Sequence, residues 1–408
     1  MALRVAGLVP TFFRARNARK SLAQQRRRGG KIRKNDTGGP FRGYEVALRD
    51  IALALKKWAQ NEQMMGTNYP SRPGFDIGLI RTFFNQAGVA HVTRVLQERQ
   101  ISYIGVNDIT NDIIVYTRKK PSSRDKRILS ASASPIIGGH QVSLQFRQGA
   151  VAHVGGTPVS PVGVPPFHIH QDRYTCGSSI YIGSEKGAGT LGCLVRSQDG
   201  TLFGLSNNHV TGGCNYAVPG LPIIAPGILD IAAGGQDPET LGHHHSAFPF
   251  VDGIPEVVDA SQNIDAALFT IADPNRISSM QRASYDTPAE CIPMTVGMRV
   301  SKVGRTTGAT HGEVVAELPD CEPIIYDVDI CAGRKLVYFK TLFVIQATNG
   351  MFTEPGDSGA LVVNIDVNNV RRGAGIIVGG DGTGLSFALS LHRVLEHFDV
   401  ELVSGHNA

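Results

Sequence analysis

The sequence predicts a mainly β protein, with a small α+β unit towards the N-terminus and a basic tail ahead of it. Three observations predict it. Glycine fills 47 of 408 positions, and with 22 prolines and one tryptophan this favours tight turns and short strands over long helices. From about Tyr174 onward, short apolar runs recur between Gly-rich turns, the spacing of an all-β barrel or sandwich. No apolar run approaches the roughly 18 residues of a membrane-spanning helix, and with 42% apolar and 18% charged residues the composition is globular.

The net charge of +5 is unevenly placed. Residues 1–35 hold eleven Lys or Arg and no acid; removing them from the 40 basic residues leaves 29 against 35 acids. The chain thus reads as a mildly acidic globule behind a basic arm. Residues 6–13 are too short an apolar run, broken by Pro10 and followed by more arginine, for a secretory signal. Residues 1–40 are read as a disordered tail, either solvated or touching nucleic acid or an acidic partner through residues 1–35. An Arg-rich, acid-free transit peptide is the other address that fits. Without an export signal, a cytoplasmic location is the expectation.

Residues 44–63 place Val46, Ile51, Leu53, Leu55 and Trp58 at helical spacing, an amphipathic helix stopped by Pro70 and Pro73. A second helix is read over 77–97. The period then changes. Residues 101–106 and 112–118 read as strands, and Val142, Leu144 and Phe146 alternate with polar residues across 140–147. Residues 41–150 therefore make the small α+β domain. Residues 151–170, with four prolines and little periodicity, read as a linker. In the β-domain, 171–408, strands are expected at 189–195, 202–205, 266–271, 299–303 and 361–365, and one helix at 391–398.

Three motifs stand in order in this β-region: SNNHV with His209, NIDAALF with Asp265, and EPGDSGALVV with Ser358. Singly, each is an ordinary turn or loop. Together they supply what acyl transfer needs. A serine hydroxyl requires a hydrogen-bonded base, an imidazole can take and return its proton, and a buried carboxylate fixes the imidazole tautomer. Glycines beside the serine let the Gly356 and Ser358 amides converge on an oxyanion.

Other chemistry finds less support. Six cysteines, at 176, 193, 214, 291, 321 and 331, form no CxxC pair, and reduced thiols are the default. His243, His244 and His245 tempt a metal assignment, but adjacent residues on an extended chain point to opposite faces. No metal site and no cofactor are read from the sequence. The glycines at 138–139 and 379–384 lack the Lys-Ser pair of a phosphate loop.

Residues 174–400 resemble the chymotrypsin-clan serine proteases. SNNHV and GDSG match the clan's histidine and serine motifs, and NIDAAL resembles its aspartate motif. KVGRTTGATHGEVV, residues 302–315, is similar to the Gly-Arg-Thr-Thr-Gly segment of the streptogrisin and α-lytic types. GTLGCLV, LSNNHV, IDAAL and GRTTG together most resemble the trypsin-like proteases related to the plant narrow-leaf protein. The stretch 100–148 resembles that group's small N-terminal domain, so the likeness covers most of residues 100–400.

The resemblance implies a chymotrypsin-like double six-stranded β-barrel and a serine endopeptidase. His209 is its general base, Asp265 the orienter and Ser358 the nucleophile, with Gly356 and Ser358 forming the oxyanion hole. It also implies that Arg305 pairs with Asp357 to hold the oxyanion loop. The substrate pocket is expected near Phe352, Val378, Gly379, Gly380 and Phe387, with Phe352 and Phe387 as apolar walls and no acid at the base. Cys193 and Cys214 echo a disulfide around the histidine loop, whereas the α-lytic cysteines beside GRTTG are replaced by Ser301 and His311. Ala360 stands where many relatives have glycine. The expectation is a selective peptidase acting on an intracellular protein or peptide, possible as a homo-oligomer. The alternatives are a silent protease-like module binding peptide or nucleic acid, and an acyl hydrolase on the same barrel.

Overall fold

Antiparallel pairing closes six strands into a ring. Arg299–Gly304 pairs with Gly308–Leu318, which pairs with Leu342–Ala347, and that strand pairs with Leu385–Ser390. Leu385–Ser390 pairs with Arg371–Gly380, which pairs with Leu361–Ile365, and the circle returns through Ser301↔Val363. Closure gives every ring strand a partner on each side. The structure is a computed structural model that describes residues 47–66, 69, 83–85, 88–137, 140–155, 165–231, 238–327 and 333–408.

A second sheet runs Ser179–Ile182, Pro222–Ala225, Glu239–Ala247, Ala267–Ile271, Leu202–Ser206, Cys193–Ser197, each antiparallel to the next. Gly189–Thr190 extends its Ser179–Ile182 end, and among the described residues the two ends of the sheet do not pair with each other, so it is a half-barrel. Val400–Leu402 adds to its Cys193–Ser197 edge, after the expected helix, Leu391–Phe398. A closed barrel beside a half-barrel is the chymotrypsin-like double barrel, with one of the two expected barrels left open.

The α+β part shares the closed barrel's sheet instead of forming its own. Ile101–Asn107 joins Gly308–Leu318 through Val106↔Glu317, and Asp112–Thr117 and Ser143–Gln148 extend the sheet outward. Asp112–Thr117 and Ser143–Gln148 are parallel, which demands a crossover. The helix Ser123–Ser132 supplies it, begun by a capping box between Ser122 and Asp125. Weak periodicity and a charged content leave this helix without a clear signal in the sequence. The first helix, Leu48–Asn61, buries Ile51, Leu55 and Trp58, as its spacing predicts. The second is Val89–Arg99; the start of its expected span lies largely outside the described residues. Where the first helix meets the strand Glu322–Asp327, the buried Lys56 Nζ lies 2.8 Å from Glu322 Oε1, and Tyr69 donates to Oε2 at 2.9 Å.

The expected linker is in part structural. His153–Gly155 is a strand inserted between Glu322–Asp327, to which it is parallel, and Arg371–Gly380, to which it is antiparallel. Ile169–His170 pairs with Arg173–Cys176. Residues 45–408 form one compact unit; the basic tail lies outside the described residues.

Candidate active site

The SNNHV segment turns from the half-barrel strand Leu202–Ser206 into a one-turn helix, Asn208–Thr211, and each residue has a holding contact. Ser206 Oγ donates to the Thr190 carbonyl at 2.8 Å, Asn207 Nδ2 to the Asp265 carbonyl at 2.7 Å, and Asn208 Nδ2 to the Phe248 carbonyl at 2.8 Å. This fixes the backbone of His209, which is 4% exposed.

Asp265 lies just before the neighbouring strand, Ala267–Ile271, and is fully buried. Its Oδ1 accepts the His209 amide at 3.1 Å and its Oδ2 accepts Nδ1–H of the imidazole at 2.6 Å. With Nδ1 so engaged, Nε2 is the nitrogen left to accept a proton. A third donor, unforeseen in the sequence, completes the carboxylate: Tyr326 Oη donates to Oδ2 at 3.0 Å, its ring edge-on to the imidazole with centroids 5.7 Å apart. Burial and the Asp265 charge hold the Tyr326 phenol well above its usual range. The only sequence signal for Tyr326 was a polar tip inside the apolar run PIIYD.

Ser358 lies across the same cleft. Its Oγ donates to the Val378 carbonyl at 2.9 Å, and no hydrogen bond between Ser358 and His209 exists among the described residues. Gly356 has φ +102° and Gly359 φ +92°, a backbone that glycine adopts without strain. The Thr190 hydroxyl donates to the Gly356 carbonyl at 2.9 Å. The Gly356 and Ser358 amides have no acceptor among the described residues, so both remain available to an oxyanion.

Asp357 anchors that turn. Its fully buried carboxylate accepts the amides of Thr306 at 2.7 Å, Thr307 at 3.2 Å and Glu354 at 3.1 Å, and the Thr307 hydroxyl at 2.7 Å. Its ion pair is with Lys302, at 3.0 Å, both side chains at 0% exposure. Burial pushes the carboxyl up, but the Lys302 charge and these hydrogen bonds outweigh it and hold it below the usual carboxylate range. Burial likewise pushes the Lys302 ammonium down, against the pull of Asp357.

The expected pairing of Arg305 with Asp357 is therefore corrected. Arg305 is fully buried and forms a bidentate ion pair with Asp230, Nε at 2.7 Å and Nη2 on the second oxygen. It still supports the turn, by packing: a Cβ on Gly356 would meet Arg305 Nη1 at 2.9 Å. Lys302 stands on the strand just before the turn and reaches Asp357, while Arg305 points across to the half-barrel side.

The cleft between Ser358 and His209 has a volume of about 840 Å³. Gly379 and Gly380 line it, as expected, but Phe352, Val378 and Phe387 do not. All three are fully buried: Phe352 in the closed barrel's core, Phe387 against the Tyr103 ring at 5.2 Å. Phe352 packs from a loop against Val362 and Ala388, whereas Val378 and Phe387 pack in a separate cluster with Tyr103 and Val154. Thr353, Pro355, Ile377 and Leu385 form the walls instead, and Glu185, Asp327, Glu354 and Asp381 place carboxylates around the cleft. Of the cysteines, Cys193 is a free thiol; Cys214 is disulfide-bonded, so the echoed Cys193–Cys214 pair is not formed. His244 is buried while His243 and His245 are exposed, the alternation that splits the run. Among the described residues no group of His, Cys, Asp or Glu is arranged to hold a metal ion, and no helix is long and apolar enough to cross a membrane.

A family model described as the Nal1 C-terminal domain matches residues 236–402. Over 229 residues, 50% of this chain, the sequence is 25% identical to Protein NARROW LEAF 1 of Oryza sativa subsp. japonica. That match spans 36% of the rice protein, about a third of its length. Among solved structures the chain is similar to Thermobifida fusca Protease A, at 17% identity over 57% of this chain and 98% of that one, with a TM-score of 0.37. It is also similar to Nocardiopsis protease, at 18% identity over 56% of this chain and 97% of that one, with a TM-score of 0.36. These likenesses concern the fold alone.

Proposed function

We propose that the chain is a serine endopeptidase, with Ser358 as nucleophile, His209 as general base and Asp265 as its orienter. The observation that carries this reading is the 2.6 Å contact of His209 Nδ1 with the buried Asp265, facing Ser358 across one cleft. Ser358 Oγ attacks the scissile carbonyl carbon as its proton passes to His209 Nε2. The carbonyl oxygen becomes an oxyanion on the Gly356 and Ser358 amides, a donor pair of which each member contributes roughly 3 kcal/mol. Collapse breaks the C–N bond; His209 gives the proton to the departing amine and leaves an acyl-enzyme. Water, deprotonated by the same imidazole, releases the acid and restores Ser358. To reach His209, the Ser358 hydroxyl rotates away from the Val378 carbonyl. Asp357 and Lys302, with Arg305 beneath Gly356, keep the turn in shape.

The substrate is an extended peptide of a selected intracellular protein, and no cofactor takes part. Labelling with a fluorophosphonate tests the reading: the wild type is expected to label, and Ser358→Ala and His209→Ala are not. A second reading, a peptide-binding module without turnover, is favoured by the Ser358–Val378 hydrogen bond. It predicts no labelling of the folded wild type.

A further inference from the structure

The strand that ends beside Ser358 has unequal edges. Residues 375–380 of Arg371–Gly380 are paired along one edge with Leu385–Ser390. On the other edge Leu361–Ile365 pairs with residues 371–376 only. Ile377 is then held by Gly359 and Ala360, so the edge at Val378, Gly379 and Gly380 is left to whatever adds there. This is the edge whose Val378 carbonyl receives the Ser358 hydroxyl. A peptide presenting a carbonyl to Ser358 adds to it as an extra antiparallel strand.

A piece of the chain already does so. His153 pairs with Gly380, antiparallel. Continued in that register, Val154 faces Gly379 and Gly155 faces Val378. A Cβ on Gly379 would meet Val154 Cγ2 at 3.1 Å and the His153 carbonyl at 3.3 Å, which agrees with that register. The chain direction from His153 to Gly155 thus leads towards Ser358. All three residues line the same cleft as His209 and Ser358. On its other side the segment pairs with Ile325, Tyr326 and Asp327, the strand whose tyrosine holds Asp265.

We infer that His153–Gly155 is a resident strand in the peptide-binding edge, so that the cleft takes an extended peptide by exchanging this segment for it. The inference rests on the proposed function for what the peptide does, but not for where it binds. It also names the ligand class: an extended strand with glycine or another small residue opposite Val378 and a β-branched residue before it.

The test uses the full chain and a fluorescein-labelled peptide of sequence Ala-Val-Ala-His-Val-Gly, that of residues 150–155. In His153→Pro the ladder to Gly380 is lost, and the peptide is expected to bind about tenfold more tightly than to the wild type, as the open fraction of the cleft rises. Equal affinity for the two forms overturns the inference. If that variant fails to fold, Gly155→Ala replaces it: its Cβ would lie 2.1 Å from the Asp327 carbonyl oxygen, so the segment must shift. Hydrogen exchange on the wild type gives a second readout. Added peptide is expected to speed exchange at Val154 and Gly155 several-fold; unchanged or slower exchange overturns the inference. Fluorophosphonate labelling is run in parallel. Its failure defeats the peptidase reading alone, because peptide binding needs no activated serine.

Discussion

Tyr326 Oη and His209 Nδ1 donate to the same oxygen of Asp265, at 3.0 Å and 2.6 Å. The carboxylate is thereby held from two directions, by the half-barrel's histidine and by the strand Glu322–Asp327 outside the six-stranded ring. Tyr326→Phe keeps the ring contact and removes only the hydroxyl. One net hydrogen bond to a charged group is about 1.5 kcal/mol, so fluorophosphonate labelling is expected to slow by about tenfold. A rate equal to that of the wild type would show that Asp265 is oriented without Tyr326.

The pair Lys302–Asp357 is fully buried and braces the serine turn. Removing one partner strands a buried charge, and Asp357→Ala or Lys302→Ala is each expected to cost about 3–5 kcal/mol. The double variant Lys302→Met/Asp357→Leu is expected to recover much of that stability without recovering labelling, because the amides of Thr306, Thr307 and Glu354 lose their acceptor. Urea denaturation of the three proteins, with labelling measured alongside, decides it; strictly additive losses would exclude the coupling.

The same carboxylate sets an acid limit. Asp357 has its folded pKa held below its usual value, so its contribution to stability is complete above about pH 4. It is lost as pH falls through the folded value, where the native state must finally take up the proton that the unfolded chain already binds. The thermal midpoint of the wild type is expected to fall with acidification below about pH 4, and the slope for Asp357→Asn to be shallower. Identical slopes would remove Asp357 from the acid response.

How much of this was legible in the sequence depends on chain-local signals. His209, Asp265 and Ser358 each sit in a short motif whose neighbours do the local holding, so residue type and order were enough to single them out. Asp230 and Tyr326 have no such surroundings. Both matter through partners more than 50 residues away, Arg305 and Asp265, and only the folded sheets bring them together. Lys302 and Arg305 stand three residues apart around one turn, and nothing in their spacing says which reaches Asp357. The pocket walls failed for a related reason. Phe352 and Phe387 look like lining because they are large and near the motifs, yet Phe352 folds from its loop into the core with Val362, and Phe387 on its strand packs against Tyr103. At the start of the expected linker, His153–Gly155 pairs with two strands distant in sequence, which local composition does not show; residues 156–164 lie outside the described residues.

Arg305 provides a direct comparison of the two arrangements. If its service to the turn ran through Asp357, then Asp230→Ala would be close to neutral. With the observed pair, Arg305→Ala and Asp230→Ala are each expected to cost about 3 kcal/mol or more, since either breaks a buried bidentate ion pair. A double-mutant cycle is expected to show a coupling well above 1 kcal/mol, and a coupling near zero would return Arg305 to the role first expected of it.

Gly356 tests the oxyanion turn itself. At φ +102° an added Cβ is strained, and it would meet Thr306 Oγ1 at 2.6 Å and Arg305 Nη1 at 2.9 Å. Both neighbours are pinned, Thr306 by the Pro355 carbonyl at 2.7 Å and Arg305 by Asp230, so the turn has to give way. Backbone strain of this kind costs about 1–3 kcal/mol, and Gly356→Ala is expected to remain folded. Its amide then no longer points where an oxyanion forms, and the loss of one such donor slows acyl transfer by about 100-fold or more. Labelling at Ser358 is therefore expected to fall by that factor while the unfolding midpoint moves only modestly. A variant that labels at the wild-type rate would show that the oxyanion is met by donors other than Gly356.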